Sequence, residues 1–133
     1  MVHTASPFFL EPPKNRDDMI KPAVEGTLSV CRAAAANKVK RVVITSSCVA
    51  IYNNKDFGPG KKFSRDDWSE VDRCDVYSES KTLAERAAWD FQKNLKGEER
   101  FELVCINPGL IFGPSLVKCS FTSGEIVKGI MMG

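Results

Sequence analysis

Val42-Val43-Ile44-Thr45 is β-branched at every position, and such side chains are stiff at χ1 and favour a pleated surface over a helix. The run is too short for a core helix and apolar on both faces, the mark of a parallel strand covered by helices. Ser46-Ser47 end it. Helical periodicity lies on both sides. Upstream, from about Asp17 to Asn37, Ile20, Val24, Leu28 and Cys31 recur at three or four residues, and Ala33 to Ala36 raise helix propensity. Pro22 is expected in the first turn, where its missing N–H costs little. Downstream, Tyr77 to about Leu95 places Ala84, Ala88, Phe91 and Leu95 on one stripe that also carries Tyr77 and Lys81.

The remaining elements follow the same alternation. Thr4 to Pro7 is the end of a strand entering a loop, since a residue before proline is pushed away from helix. Phe101 to Asn107 is another strand, stopped by Pro108-Gly109, and Ser123 is expected as the N-cap of a last helix with Ile126, Val127 and Ile130 as its apolar face. Asn53 to Gly60 is a loop, and Lys61 to Cys74, polar and aperiodic around Trp68, is expected to be irregular and on the surface. The order strand, helix, strand, loop, helix, strand, helix predicts right-handed crossovers and a parallel sheet in one open α/β domain over 1–133. In such sheets ligands bind beyond the carboxyl ends of the strands, where Thr4 to Ser6, Ser47 and the Pro108 loop all fall.

Composition removes several functions. Nineteen basic against 17 acidic residues leave a formal charge of +2, so no strong field draws in nucleic acid or an anionic membrane. No apolar run approaches the roughly 18 residues of a membrane span. Cys31, Cys48, Cys74, Cys105 and Cys119 are widely spaced, without a Cys-x-x-Cys pair. They are expected to be reduced thiols of a cytoplasmic protein, with no metal site.

Tyr77-Ser78-Glu79-Ser80-Lys81 sets a phenol and an ammonium four residues apart, on one face of a helix. The pair opens a helix beside a strand ending in Thr45-Ser46-Ser47, about thirty residues upstream, so hydroxyl, phenol and ammonium are expected to converge. A free phenol has a pKa of about 10, and a nearby cation helps it give up a proton at neutral pH. Lys81 is placed to be that cation, and Ser47 to hydrogen-bond a carbonyl oxygen.

These residues carry a resemblance. His3-Thr4-Ala5-Ser6-Pro7, Lys21 to Thr27, Arg41 to Ser47, Tyr77 to Lys81 followed by Thr82-Leu83-Ala84-Glu85, and Ile106 to Leu110 with Gly113-Pro114 resemble, in order and spacing over nearly the whole chain, extended short-chain dehydrogenases/reductases. More narrowly they look like the dihydroflavonol reductase and cinnamoyl-CoA reductase group. The resemblance implies an NAD(P)-binding Rossmann-like, doubly wound parallel sheet, of which 1–133 would be the second half. It implies an oxidoreductase that reduces a small-molecule ketone or aldehyde with NADP(H) ahead of NAD(H). Tyr77 would be the acid, Lys81 would bind the nicotinamide ribose and tune Tyr77, and Ser47 would orient the carbonyl. Thr4, Ala5 and Ser6 would line the cofactor ribose, Pro108 and Ile111 would lie against the nicotinamide, and Ser123 would approach the adenosine side. Tyr52 stands where plant flavonoid reductases have Asn, so the resemblance does not extend to flavonoid specificity.

Neither Gly-x-x-Gly-x-x-Gly nor Gly-x-Gly-x-x-Gly occurs in the sequence, and Gly58-Pro59-Gly60 follows no strand. The family's glycine loop and its substrate lobe are therefore expected outside 1–133. A strand left without its partner would be an apolar edge, through which the chain alone is expected to self-associate while holding NADPH weakly or not at all. Two other readings stay open. One is a 3-hydroxysteroid dehydrogenase or nucleotide-sugar epimerase using the same three residues, against which Thr82 to Glu85 and His3 to Pro7 favour the reductase group. The other is a non-catalytic short form that binds a partner by its edge strand. Trp68 and Trp89 are expected as packing aromatics.

Overall fold

The computed structural model describes residues 1–9, 11, 13–114 and 122–132. Its elements run β1 (Val2–His3), α1 (Asp17–Ala36), β2 (Arg41–Thr45), α2 (Val49–Tyr52), α3 (Val76–Asn94), β3 (Glu102–Ile106) and α4 (Thr122–Met132). The strands form one parallel sheet in the order β1-β2-β3, with Val2 opposite Val43 and Val43 opposite Val104. Two successive parallel crossovers stepping in one direction put both connecting helices on the same face, and α1 packs along α3. That is the half of a doubly wound sheet that the sequence predicts.

Small residues let the two helices approach. Cys31, Ala34 and Ala35 of α1 meet Ala88 of α3 over Val42 and Ile44 of β2, with Phe101 and Leu103 closing the core. The buried stripe of α1 is Met19, Ala23, Thr27 and Cys31, one position before the expected Ile20, Val24 and Leu28 and meeting the expectation only at Cys31. The larger aliphatics flank the contact half-buried, because the side facing α3 has room only for alanine and threonine over most of its length. Pro22 lies in the second turn, not the first: the helix begins at Asp17, with Asp17 and Asp18 in its first turn, where carboxylates favour the amino-terminal dipole. At the other end Lys38 adopts a left-handed backbone, φ 51°. The Val39 N–H donates to the Ala34 carbonyl at 2.9 Å and the Lys38 N–H to Ala35 at 3.0 Å, a Schellman closure that delivers Val39 to the core.

Two expectations about surfaces change. Val42 and Ile44 are buried, but Val43 is only half-buried, since among the described residues no helix covers the second face of β2. Ile130 of α4 is 78% exposed and Ile126 37%, so of the expected apolar face of that helix only Val127 is half-buried. The helix already includes Thr122, so Ser123 lies within it and is not its N-cap. Val2 is 69% exposed on the outer edge of β1, which has β2 as its partner among the described strands.

The stretch from Lys61 to Cys74 is irregular apart from one 3-10 turn at Val71–Arg73, yet it is not all surface. Ser69 is fully buried. Its N–H donates to Ala50, its hydroxyl donates to the Val49 carbonyl at 2.6 Å, and that hydroxyl accepts from the Asn53 N–H at 2.8 Å. Trp68 packs against the Arg86 guanidinium, 5.2 Å from its ring centroid. One serine thus pins the loop to both ends of α2. Ser69→Ala strands the Asn53 N–H and is expected to cost about 1–3 kcal/mol. Chemical denaturation of the variant checks this, and a change below about 0.5 kcal/mol would remove Ser69 as the anchor.

Candidate active site

The carboxyl end of β2 is followed by Ser46 and Ser47, both buried. The Asn107 amide, just past β3, donates to the Ser47 carbonyl at 3.1 Å, and the Ser47 hydroxyl accepts from the Val49 N–H at 3.4 Å. Helix α3 starts beside them because Asp75 caps it: the carboxylate accepts from the Ser78 N–H at 2.7 Å. Tyr77 is in the first turn and Lys81 in the second, so both side chains share a face. Lys81 is 8% exposed. Its ammonium donates to the Thr45 carbonyl at 3.4 Å and lies 5.9 Å from the centroid of the Tyr77 ring.

The three predicted residues therefore meet on the wall of one cleft of about 330 Å³, together with Tyr52, Pro108, Ile111 and Ser123. Thr4, Ala5 and Ser6 are not on that wall; Thr4 and Ala5 are exposed in the loop after β1 and Ser6 is half-buried. The same loop carries Phe8, which meets Tyr77 edge-on at 5.0 Å between centroids. Behind Tyr77 lies a second recess, about 360 Å³, lined by Phe8, Phe9, Met19 and Arg16. Arg16 pairs with the Glu79 carboxylate.

Electrostatics differ from the sequence expectation in one respect. Burial pushes the Tyr77 phenol above its ordinary value, and the group that pulls it down is the Ser47 hydroxyl, by hydrogen bonding, not Lys81. Burial likewise pulls Lys81 below the usual ammonium value, with the Glu85 carboxylate opposing it. His3, half-buried at the end of β1, is lowered by burial and by the Lys81 charge, so a second base lies near the same ammonium.

The structure adds residues that the sequence reading passed over. Glu85, one turn beyond Lys81, is a buried carboxylate accepting from Asn107 at 2.8 Å and from the Trp89 indole at 3.3 Å. The signal was present as the spacing 77, 81, 85, which puts all three on one face, but it reads equally as a solvated Glu. The Ser46 hydroxyl, on the cleft wall, is buried with no partner among the described residues. A buried orphan of this kind is a group that a ligand can satisfy.

A sequence profile of the 3-beta hydroxysteroid dehydrogenase/isomerase family matches residues 1–129. The chain belongs to that family. It is 38% identical, over all of its length, to tetraketide alpha-pyrone reductase 1 of Arabidopsis thaliana. It is 33% identical, over 98% of its length, to the NADPH-dependent methylglyoxal reductase GRE2 of Saccharomyces cerevisiae. The crystal structure of Gre2 from Candida albicans in complex with NADPH superposes with a TM-score of 0.82 at 32% identity, covering 98% of this chain and 43% of that one. The chain spans 41% and 43% of the two reductases' own lengths. Among the described residues no helix is long and apolar enough to cross a membrane.

Proposed function

We propose that this chain carries the proton-donating half of an NADPH-dependent reductase of small ketones or aldehydes. The observation that carries the reading is the convergence of Ser47, Tyr77 and Lys81 on one cleft. The relatives that match the whole chain and act on carbonyls support it over a steroid dehydrogenase or epimerase.

The cleft suits the cofactor. Lys81 and the orphaned Ser46 hydroxyl are hydrogen-bonding groups for ribose hydroxyls, and Pro108 with Ile111 offers an apolar wall for a flat ring. Ser123 adds one hydroxyl on the same wall. In this reading Thr4, Ala5 and Ser6 reach the cofactor through their main chain. NADPH, when bound, supplies the hydride. The chain's own residues do the rest: the Ser47 hydroxyl hydrogen-bonds the carbonyl oxygen and holds it, and the Tyr77 phenol gives its proton to that oxygen as it becomes an alkoxide. A phenol with a pKa of about 10 is protonated at neutral pH, the form in which an acid must begin, and burial moves Tyr77 further that way. Lys81, fixed on the Thr45 carbonyl, is the ammonium placed beside Tyr77 to bond the cofactor ribose, while the Ser47 hydroxyl is the group that lowers the phenol.

The exposed outer edge of β1 supports self-association in the same proposal. Unpaired Cys31, Cys48, Cys74 and Cys105 fit a reducing cytoplasm. The test is NADPH oxidation by the natural full-length protein over a panel of aldehydes and ketones, followed at the nicotinamide absorbance. Turnover of at least one carbonyl at about 1 s⁻¹ or faster is expected. Oxidation of a 3-hydroxysteroid with no carbonyl reduced would overturn the assignment.

A further inference from the structure

Three elements carry the site, and one side chain of α3 is linked to the ends of both strands through a single amide, that of Asn107. Glu85 stands four residues after Lys81 on α3, 7% exposed. Its Oε2 accepts from the Asn107 amide at 2.8 Å, and the same amide nitrogen donates to the Ser47 carbonyl at 3.1 Å. Its Oε1 accepts from the Trp89 indole at 3.3 Å. A carboxylate this deep is costly unless it is both hydrogen-bonded and charge-balanced. Asn107 and Trp89 provide the hydrogen bonds, and Lys81 one turn away is the nearby cation.

We propose that Glu85 is a positioning residue, whose buried carboxylate ties the Tyr77–Lys81 helix to the strand ends that carry Ser47 and Asn107 and serves as the counter-charge of Lys81. It touches neither substrate nor cofactor in this role. Two effects follow. Through Asn107 it fixes the Ser47 main chain, and hence the hydroxyl that holds the carbonyl; a misplacement of about 1 Å at such a point costs up to 10²-fold in rate. Through space it holds the proton on Lys81 against burial. The other groups facing Lys81 are Tyr77 on its own helix, His3 from β1 and the Thr45 carbonyl from β2, while Cys105 of β3 faces Glu85. His3 is held to Thr27 of α1 at 3.3 Å. Among the named neighbours of Lys81, Glu85 is the carboxylate that supports its charge.

The inference rests on the reductase reading and is separable from it by experiment. In the natural full-length protein, Glu85→Gln keeps the shape and removes the charge. Lys81 is then expected to lose its proton at a pH about one unit lower, read by heteronuclear NMR of the lysine ammonium in the cofactor-free protein. The alkaline limb of kcat should move down by the same amount. Glu85→Asp keeps the charge but falls short of Asn107, so kcat is expected to drop about tenfold with the limb unmoved, which also covers the case in which Glu85→Gln does not fold. A purely structural Glu85 would change Tm and leave both pH readouts in place. An unshifted Lys81 titration in folded Glu85→Gln, or a shifted limb in Glu85→Asp, overturns the proposal. Wild-type protein that reduces no carbonyl, with the Lys81 shift present in Glu85→Gln, condemns the reductase reading and leaves the Glu85–Lys81 coupling standing.

Discussion

Tyr77→Phe is expected to lower kcat for carbonyl reduction by about 10²–10⁴-fold, the range of a general acid, while Tm stays within a few degrees. The phenol is half-buried, and the ring makes the structural contacts: Phe8 packs on its edge at 5.0 Å and Lys81 lies over its face at 5.9 Å. Phenylalanine preserves both. Only the oxygen is removed, and it shares the cleft wall with Ser47, so the loss falls on the reaction. KM should change far less than kcat, since an interaction that strengthens as the alkoxide forms is missing from the transition state. Steady-state kinetics of the natural protein decide it. A variant retaining more than a tenth of wild-type kcat would mean that another group delivers the proton, and His3, close enough to Lys81 to feel its charge, would be the next to change.

Phe101→Ala is expected to remove about 3–5 kcal/mol of stability, the range for a buried aromatic truncated to a methyl. The side chain is 1% exposed and belongs to the core that joins α1, β2 and α3. Its neighbours Ala34, Ala35 and Ala88 are too small to collapse into the space it leaves, so most of the cavity should persist. Against a typical total of about 5–15 kcal/mol, that loss makes the fold marginal. The carbonyl of Phe101 also accepts from the Gln92 amide of α3 at 2.9 Å, so the register of β3 on the helix would loosen with it. Urea denaturation measures the effect; a loss under about 1 kcal/mol would show that the core does not depend on this ring.

Much of the fold and half of the site were legible because the signals are local. The run Val42 to Thr45, the stripe through Ala84 and Ala88, and the stops at Ser46-Ser47 and Pro108-Gly109 each act within a few residues, and β2, α3 and β3 lie where those signals put them. Tyr77 and Lys81 were legible for the same reason: a four-residue step on a helix needs no tertiary information to place two side chains together. Ser47 needed one step more, the parallel crossover that brings a strand end against the start of the next helix.

What is written in the amino-acid order alone is therefore the identity of the strands and the long helices, though not the short α2, their parallel pairing and the trio Ser47, Tyr77 and Lys81. The folded molecule decided which side of α1 is inside, that Ser69 ties down a loop that looks free, that Thr4 and Ala5 stand off the cleft wall, and that Glu85 is buried and bound to Asn107 22 residues away. The division has one cause: periodicity and turn chemistry depend on neighbours in the chain, whereas burial and the acidity of a phenol or an ammonium depend on groups that only packing brings near.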